Sequence, residues 1–301
     1  MLISLAGVGA ILLWSSTVGV SRILTESLGA MTTGAAVYLL AGALGCAYVL
    51  ISPTRRTKLR RLSRRYLFGC GGLFVFYTVC LYAAVGLASG RAQVLEVGVI
   101  NYLWPGLTLV FSAAILRKRP RAILPLGVLV AFAGVVLAAW PPERRNWAAF
   151  EANFRANAWP YLLALACAVT WAMYSNLARR WAERAEGGGV PLFILASGLV
   201  MAAMSLLWRE EPRWRLALVG ALAFMATCPG LAAYVLWDLA MRRGNVTLSA
   251  SAAYLTPLLS TGISCWLLGV LPPASLWVAC GLVVGGALLC KLGIREDTGI
   301  R

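Results

Sequence analysis

The chain has 301 residues, 60% of them apolar and 13% charged, with 30 glycines and a mean hydropathy of +0.79, which excludes an ordinary soluble domain and fits a polytopic membrane protein. A net charge of +16 would suit nucleic acid, but the basic residues sit in short connections between apolar runs, so the expected neighbour is the lipid bilayer and no nucleic acid.

A helix needs about 20 apolar residues to cross roughly 30 Å of hydrocarbon. That rule predicts an all-α membrane protein with ten transmembrane helices, at 2–20, 30–51, 66–87, 94–116, 122–140, 159–178, 190–208, 216–240, 247–270 and 273–292. The first span lacks a basic start and a small-residue cleavage site, so it is not read as a cleaved signal peptide. The second is followed by the basic run Arg55, Arg56, Lys58, Arg60, Arg61, Arg64 and Arg65. The fourth contains Tyr102-Leu103-Trp104-Pro105 near its middle. A link, 141–158, carries Pro-Pro and mixed charge and separates a first unit of five helices, 1–140, from a second, 159–292, with a tail at 293–301. The eighth span contains Pro229, and the ninth contains Tyr254-Leu255-Thr256-Pro257.

Counting connections alternately places nineteen of the 27 Lys and Arg on one side of the membrane, which predicts that both termini and the tail are cytoplasmic and the link periplasmic. Five helices per unit is an odd number, so the second unit enters from the opposite side, and a duplicated unit becomes an inverted-topology pair. Duplication is also visible in residues. Leu13-Trp14-Ser15 through Arg22 matches Thr170-Trp171-Ala172 through Arg179, the two Tyr-Leu-x-Pro segments match at nearly the same offset, and Leu81-Tyr82 through Arg91 matches Leu236-Trp237 through Gly244. A proline within a membrane helix removes a backbone hydrogen bond, and this is tolerated only where neighbouring protein or a watery cavity satisfies the backbone again. Pro105, Pro229 and Pro257 are therefore read as helix breaks.

Leu13-Trp14-Ser15, the run from Tyr234 to Gly244 and the proline-centred segment ending in Trp266-Leu-Leu-Gly269 resemble the EamA-type repeat of the drug/metabolite transporter superfamily, over both halves of the chain. Through the Tyr and Trp content of its central spans, the chain looks most like the bacterial aromatic-amino-acid exporters of that group. The resemblance implies a ten-helix exporter of the bacterial inner membrane, with a central cavity built from both repeats. Two charged positions of many such repeats are absent. An Arg in the second span is replaced by Tyr38, and a Glu after the ninth by the stretch at Val270 and Leu271.

The residues nearest the bilayer centre are Trp14, Tyr38, Tyr77, Asn101, Tyr102, Trp104, Trp171, Tyr174 and Tyr254, joined by Tyr82, Tyr234 and Trp237 on the third and eighth spans. Aromatics at that depth lie outside the interfacial belt where Trp and Tyr collect. They either pack between helices or line a wet chamber that stacks a flat substrate and satisfies their N–H and O–H groups. Asn101 either satisfies the carbonyl freed by Pro105 or holds a substrate amine or carboxylate. Trp140, Trp147, Trp159, Trp208, Trp214 and Trp277 lie at span ends and read as anchors. Ser249, Thr256, Ser260 and Ser264 share a helical face, for packing or for lining a pore. Gly281 and Gly285 predict close helix contact, within a monomer or across a dimer.

With no Lys or Arg deep in a span, phosphate-bearing substrates are disfavoured. Asp238 precedes Arg242 by four positions, which predicts a helix-surface ion pair, and Glu96, close to a span end, reads as solvated or as a gate. Histidine is absent and neither acid is central, so no metal site, cofactor, enzymatic activity or proton-coupling carboxylate is expected. The eight cysteines form no CxxC and read as packing residues. The readings that remain are export of amino acids, aromatic ones preferred, by alternating access; a multidrug or metabolite exporter of broad specificity; and a scaffold whose prolines only bend helices.

Overall fold

The structure, a computed structural model, describes residues 2–140, 146–182, 185, 187–208, 210–267 and 274–295. Among these, seven helical stretches are long and apolar enough to cross a bilayer: Ala30–Ile51, Arg65–Leu87, Arg91–Ile115, Trp159–Ala182, Val190–Leu207, Leu218–Arg243 and Ala274–Leu292. Three further apolar stretches are shorter, at Leu5–Ser15, Ile123–Ala138 and Val246–Ser260. Helix is the expected solution because it satisfies every backbone N–H and C=O within one segment.

In chain order the helices are α1 (Leu2–Ser15), α2 (Val18–Leu28), α3 (Ala30–Ile51), α4 (Pro53–Arg60), α5 (Gly71–Leu87), α6 (Arg91–Asn101), α7 (Trp104–Ile115) and α8 (Ile123–Ala139) in the first part. After them come α9 (Trp147–Ala156), α10 (Trp159–Ala182), α11 (Val190–Trp208), α12 (Leu218–Thr227), α13 (Ala233–Arg243), α14 (Val246–Ala252), α15 (Thr256–Leu267) and α16 (Ala274–Leu292). Wide, π-helical turns lead into α5 over Arg65–Cys70 and join α12 to α13 over Cys228–Ala232, the latter containing Pro229. A two-residue antiparallel ribbon, Arg119–Pro120 with Ile294–Arg295, is the one pair of strands among the described residues.

Several helices depart from simple apolar runs. The first span is interrupted after Ser15, where Ser16 and Thr17 hydroxyls donate to the carbonyls of Leu13 and Trp14 and compete with helix continuation. The link at 141–158 contains α9, started by Asn146, whose side chain accepts from the Ala149 N–H at 3.0 Å. Glu210 caps the other end of a long helix, its carboxylate accepting from the Met31 and Thr32 N–H groups of α3 at 2.9 and 2.7 Å.

The packing pairs are regular. α3 lies against α11 and α8 against α16, while α10 packs on α5, α6 and α7, and α1 packs on α13, α14 and α15. At the α3–α11 crossing the backbones meet directly: a Cβ on Gly42 would lie 2.5 Å from Leu195 Cα, and one on Gly198 would lie 2.6 Å from Leu39 N. Close approach of α16 to α8 is made by Gly286, whose Cβ would strike the backbone of Ala131. Gly281 and Gly285, which sequence spacing singled out, meet nothing within 4 Å. The seam runs one helical step away from the motif, because a helix face is fixed by its packing partner and not by residue identity.

Large apolar side chains such as Ile51, Phe68, Leu206, Leu207 and Leu216 are exposed, as expected of surface facing lipid chains. Trp147, Trp159, Trp214 and Trp277 are exposed too, but Trp140 is buried, edge-to-face with Trp147 at 5.0 Å, so it is a packing residue and not an anchor. The side chains of Trp208, Ser264 and Cys265, together with Val270 and Leu271, lie outside the described residues.

Candidate functional site

Both Tyr-Leu-x-Pro segments interrupt a helix. α6 ends at Asn101, Tyr102 and Leu103 form a turn, and α7 begins at Trp104. Between α14 and α15, Ala253–Leu255 form a single 3-10 turn. A proline cannot donate to the carbonyl four residues earlier, which leaves Asn101 O and Ala253 O to be satisfied otherwise. Thr256 does this for the second, its hydroxyl donating to Ala253 O at 2.8 Å. Trp104 stands in the corresponding place of the first. There Asn101 holds a buried Oδ1 with no hydrogen-bond partner among the described residues. Neighbouring carbonyls near both breaks are reached from other helices: Ser15 Oγ donates to Thr256 O at 3.3 Å, and Asn176 Nδ2 to Thr108 O at 3.0 Å.

Trp104 turns into an aromatic cluster centred on Trp171 of α10. Around Trp171 lie Tyr77 at 4.6 Å between ring centroids, Tyr174 at 5.0 Å, Trp14 at 5.8 Å, Trp237 at 6.3 Å and Trp104 at 6.4 Å. Trp104 meets Trp237 edge-on at 5.2 Å, and Trp14 meets Tyr234 at 5.4 Å. Tyr38 joins through Tyr234, their hydroxyls 2.6 Å apart, and Tyr82 through Tyr38 at 5.9 Å. Each such pair contributes about 0.5–1.5 kcal/mol beyond area burial.

Nine of the expected side chains are thus brought together: Trp14, Tyr38, Tyr77, Tyr82, Trp104, Trp171, Tyr174, Tyr234 and Trp237. Tyr254 and Tyr102 are not among them. Tyr254 belongs to a second core with Leu109, Leu124, Val135 and Val283, against which Tyr102 packs. Phe74 was missed, yet it touches Trp171, Tyr174 and Tyr234, the last at 4.9 Å. Its place three residues before Tyr77 on one helix face was the available signal.

In this structure the rings face one another. Four of the polar edges find protein partners. Trp237 Nε1 donates to Ser175 Oγ at 3.2 Å, the Tyr38 and Tyr234 hydroxyls pair, and Tyr174 donates to Asp238 Oδ1 at 3.1 Å.

Asp238 corrects the expectation of a surface ion pair. It is 1% exposed and Arg242 is 3% exposed, with Arg242 Nε donating to Asp238 Oδ2 at 2.7 Å. Tyr66 also donates to Oδ1, at 2.9 Å, while its oxygen accepts from the Gly189 N–H, and Arg242 Nη1 donates to Ala185 O at 3.0 Å. A buried pair survives when its remaining hydrogen-bonding capacity is filled in this way. The eighth span reaches Arg243, further than apolar content alone predicted, and carries Arg242 inside with it. The aromatic cluster therefore runs through Tyr174 into a neutralised charge at the basic end of the bundle.

Glu96 corrects the expectation of solvation. It is 5% exposed and accepts from Tyr161 O–H at 2.5 Å and from Asn153 Nδ2 at 3.5 Å. Beside it, Gln93 donates to Asn157 O and accepts from the Ser89 N–H. These contacts bind α6, α9 and α10 at the end that carries the link between the halves.

The family model for the EamA-like transporter family matches residues 1–140 and 158–291. The chain is 32% identical over 294 residues to the aromatic amino acid exporter YddG of Salmonella typhimurium strain 14028s, covering 97% of this chain and 98% of that one. It is 31% identical, at the same coverage, to YddG of Escherichia coli K12. To the inner membrane transporter YedA of Escherichia coli K12 it is 26% identical, over 94% of this chain and 88% of that one. A solved crystal structure with 32% identity superposes with a TM-score of 0.79 over 98% of each chain.

Proposed function

Because the chain belongs to the EamA-like transporter family, we propose that it exports amino acids across a bacterial inner membrane by alternating access, with aromatic ones preferred. The observation that carries this reading is the ring cluster drawn from both parts of the chain, with Trp14, Tyr38, Tyr77 and Trp104 from one and Trp171, Tyr174, Tyr234 and Trp237 from the other. A flat aromatic side chain exchanges ring contacts with such a cluster at little net cost, because each contact it breaks is replaced by one of the same kind. The unpartnered Asn101 Oδ1 supplies an acceptor for the substrate ammonium at the broken helix. The names of the YddG relatives agree with this substrate class.

Ten spans in two inverted units are the architecture we assign. Exchanging the units preserves the main packing pairs: the second and seventh spans pair, as do the fifth and tenth, while the sixth meets the third and fourth just as the first meets the eighth and ninth. The two family-matched segments are also of nearly equal length. The closed cluster is read as one state of the cycle, and opening it on either side separates spans of opposite halves. The charge distribution supports cytoplasmic termini. We take the working unit as a monomer, with the open face at Gly281 and Gly285 as the surface a dimer would use.

Both buried acids are accounted for near the ends of the bundle, Asp238 by Arg242 and Glu96 by Tyr161, so transport is assigned to the solute gradient and not to protons. Uptake of labelled tryptophan, phenylalanine, threonine and a cationic dye into proteoliposomes tests the whole reading. Tryptophan and phenylalanine are expected to enter fastest, with no substrate-coupled proton flux. Dye uptake at a comparable rate would shift the assignment to broad specificity. No uptake at all, together with a single cysteine at Asn101 that reacts from neither side, would favour a scaffold.

A further inference from the structure

Between Glu26 and Glu96 the chain has no acidic residue, yet it places seven basic ones between 55 and 65. α4 is polar except for Pro53 and Leu59 and buries none of its residues, and Arg56, Arg60, Arg61, Arg64 and Arg65 are exposed. Arg55 lies over the Tyr48 ring at 3.6 Å and donates to its carbonyl, which ties this helix to the end of α3. Around the charges stands a collar of exposed apolar side chains: Tyr48, Leu50, Ile51 and Phe68 are 60 to 80% exposed. Beside them is a small, partly open cavity of about 60 Å³ with apolar walls, lined by Cys46, Val49, Leu50, Leu59, Pro191 and Leu192.

We propose that this end of the bundle is a binding site for an anionic phospholipid, with the headgroup phosphate on the arginines of α4 and the segment after it and a short stretch of one acyl chain seated in the open apolar cavity between α3 and α11. The proposal rests on the bilayer-spanning reading above and not on which solute is carried. Juxtamembrane basic clusters attract anionic lipid through surface charge, but charge alone gives no use to an apolar cavity beside it. A free phosphate would engage the arginines only; a phospholipid engages both features. Gly188, which also lines the cavity, touches the buried pair, since a Cβ there would lie 2.7 Å from Asp238 Oδ2. An occupied cavity therefore braces the segment that covers Asp238 and Arg242.

Native mass spectrometry of the purified full chain tests this with dioleoyl phosphatidylglycerol and dioleoyl phosphatidylcholine, independently of any transport assay. The wild type is expected to retain phosphatidylglycerol at least about tenfold over phosphatidylcholine, since each basic residue contributes up to about fivefold near an anionic surface. Replacing Arg56, Arg60, Arg61 and Arg64 together by Ala should bring the ratio close to one. Leu59→Trp keeps every charge but fills the cavity, and should also lower retention; it serves as the readout if the fourfold variant fails to fold. Inorganic phosphate should not displace the lipid. Equal retention of both lipids by the wild type, unchanged retention by Leu59→Trp, or displacement by phosphate would each overturn the proposal.

Discussion

The two proline breaks are spelled almost alike, Tyr-Leu-Trp-Pro and Tyr-Leu-Thr-Pro, and they are used differently. At the second, Thr256 repairs the carbonyl that Pro257 frees, and Tyr254 is buried in a core shared with α8 and α16. At the first, Trp104 leaves the backbone and joins the ring cluster, while Asn101 keeps a buried oxygen unpaired. Two differences, Trp104 for Thr256 and Asn101 for Ala253, separate a break whose freed carbonyl is satisfied by its own side chain from one that leaves an amide oxygen unpaired among the described residues. The first break is therefore the better candidate for contact with the substrate, and it alone is connected, through Trp237, Trp171 and Tyr174, to the buried ion pair.

The largest expected effect lies at the far end of that connection. Arg242→Ala would leave Asp238 as an uncompensated buried charge, at a cost of about 3–5 kcal/mol, read as a collapse of thermal stability in detergent. A double variant, Asp238→Leu with Arg242→Met, should recover most of the loss. Next, Trp104→Thr makes the first break resemble the second and removes ring contacts. Tryptophan uptake should fall more than about tenfold, corresponding to at least 1.4 kcal/mol, and retained uptake would mean that the two breaks are equivalent. Asn101→Leu removes the unpaired acceptor. A hydrogen bond from an ammonium is worth about 1.5–3 kcal/mol, so KM for tryptophan should rise about tenfold or more while the melting temperature holds or increases. The smallest effect is expected from Thr256→Val, about 1 kcal/mol of stability with uptake unchanged; Thr256→Ser should restore the stability.

Much of this was legible in residues. Apolar runs located the long helices, two prolines located the interruptions at Tyr102 and at Ala253–Leu255, and the depth of Trp14, Trp104 and Trp171 pointed to rings grouped at the centre. What could not be read was determined by neighbours distant in sequence. Asp238 was read as exposed because its i, i+4 partner suffices for a surface pair; its burial depends on Tyr66 and Tyr174, 172 and 64 residues away. Glu96 was read as solvated because its cap is Tyr161, on a helix beyond the link. Gly281 and Gly285 matched a motif whose seam falls on Gly286, since sequence spacing gives a period but not a phase. Phe74 was passed over because only Tyr and Trp were sorted by depth, although a phenyl ring packs among them equally well.

The crossing of α3 over α11, where Gly42 and Gly198 bring main chain against main chain, has a mechanical meaning. The close contact runs from Gly34 against Met201 to Gly45 against Pro191, about three turns of helix. Helices held this closely over that length behave as one rigid pair, and a methyl group added at Gly42 or Gly198 would wedge them apart.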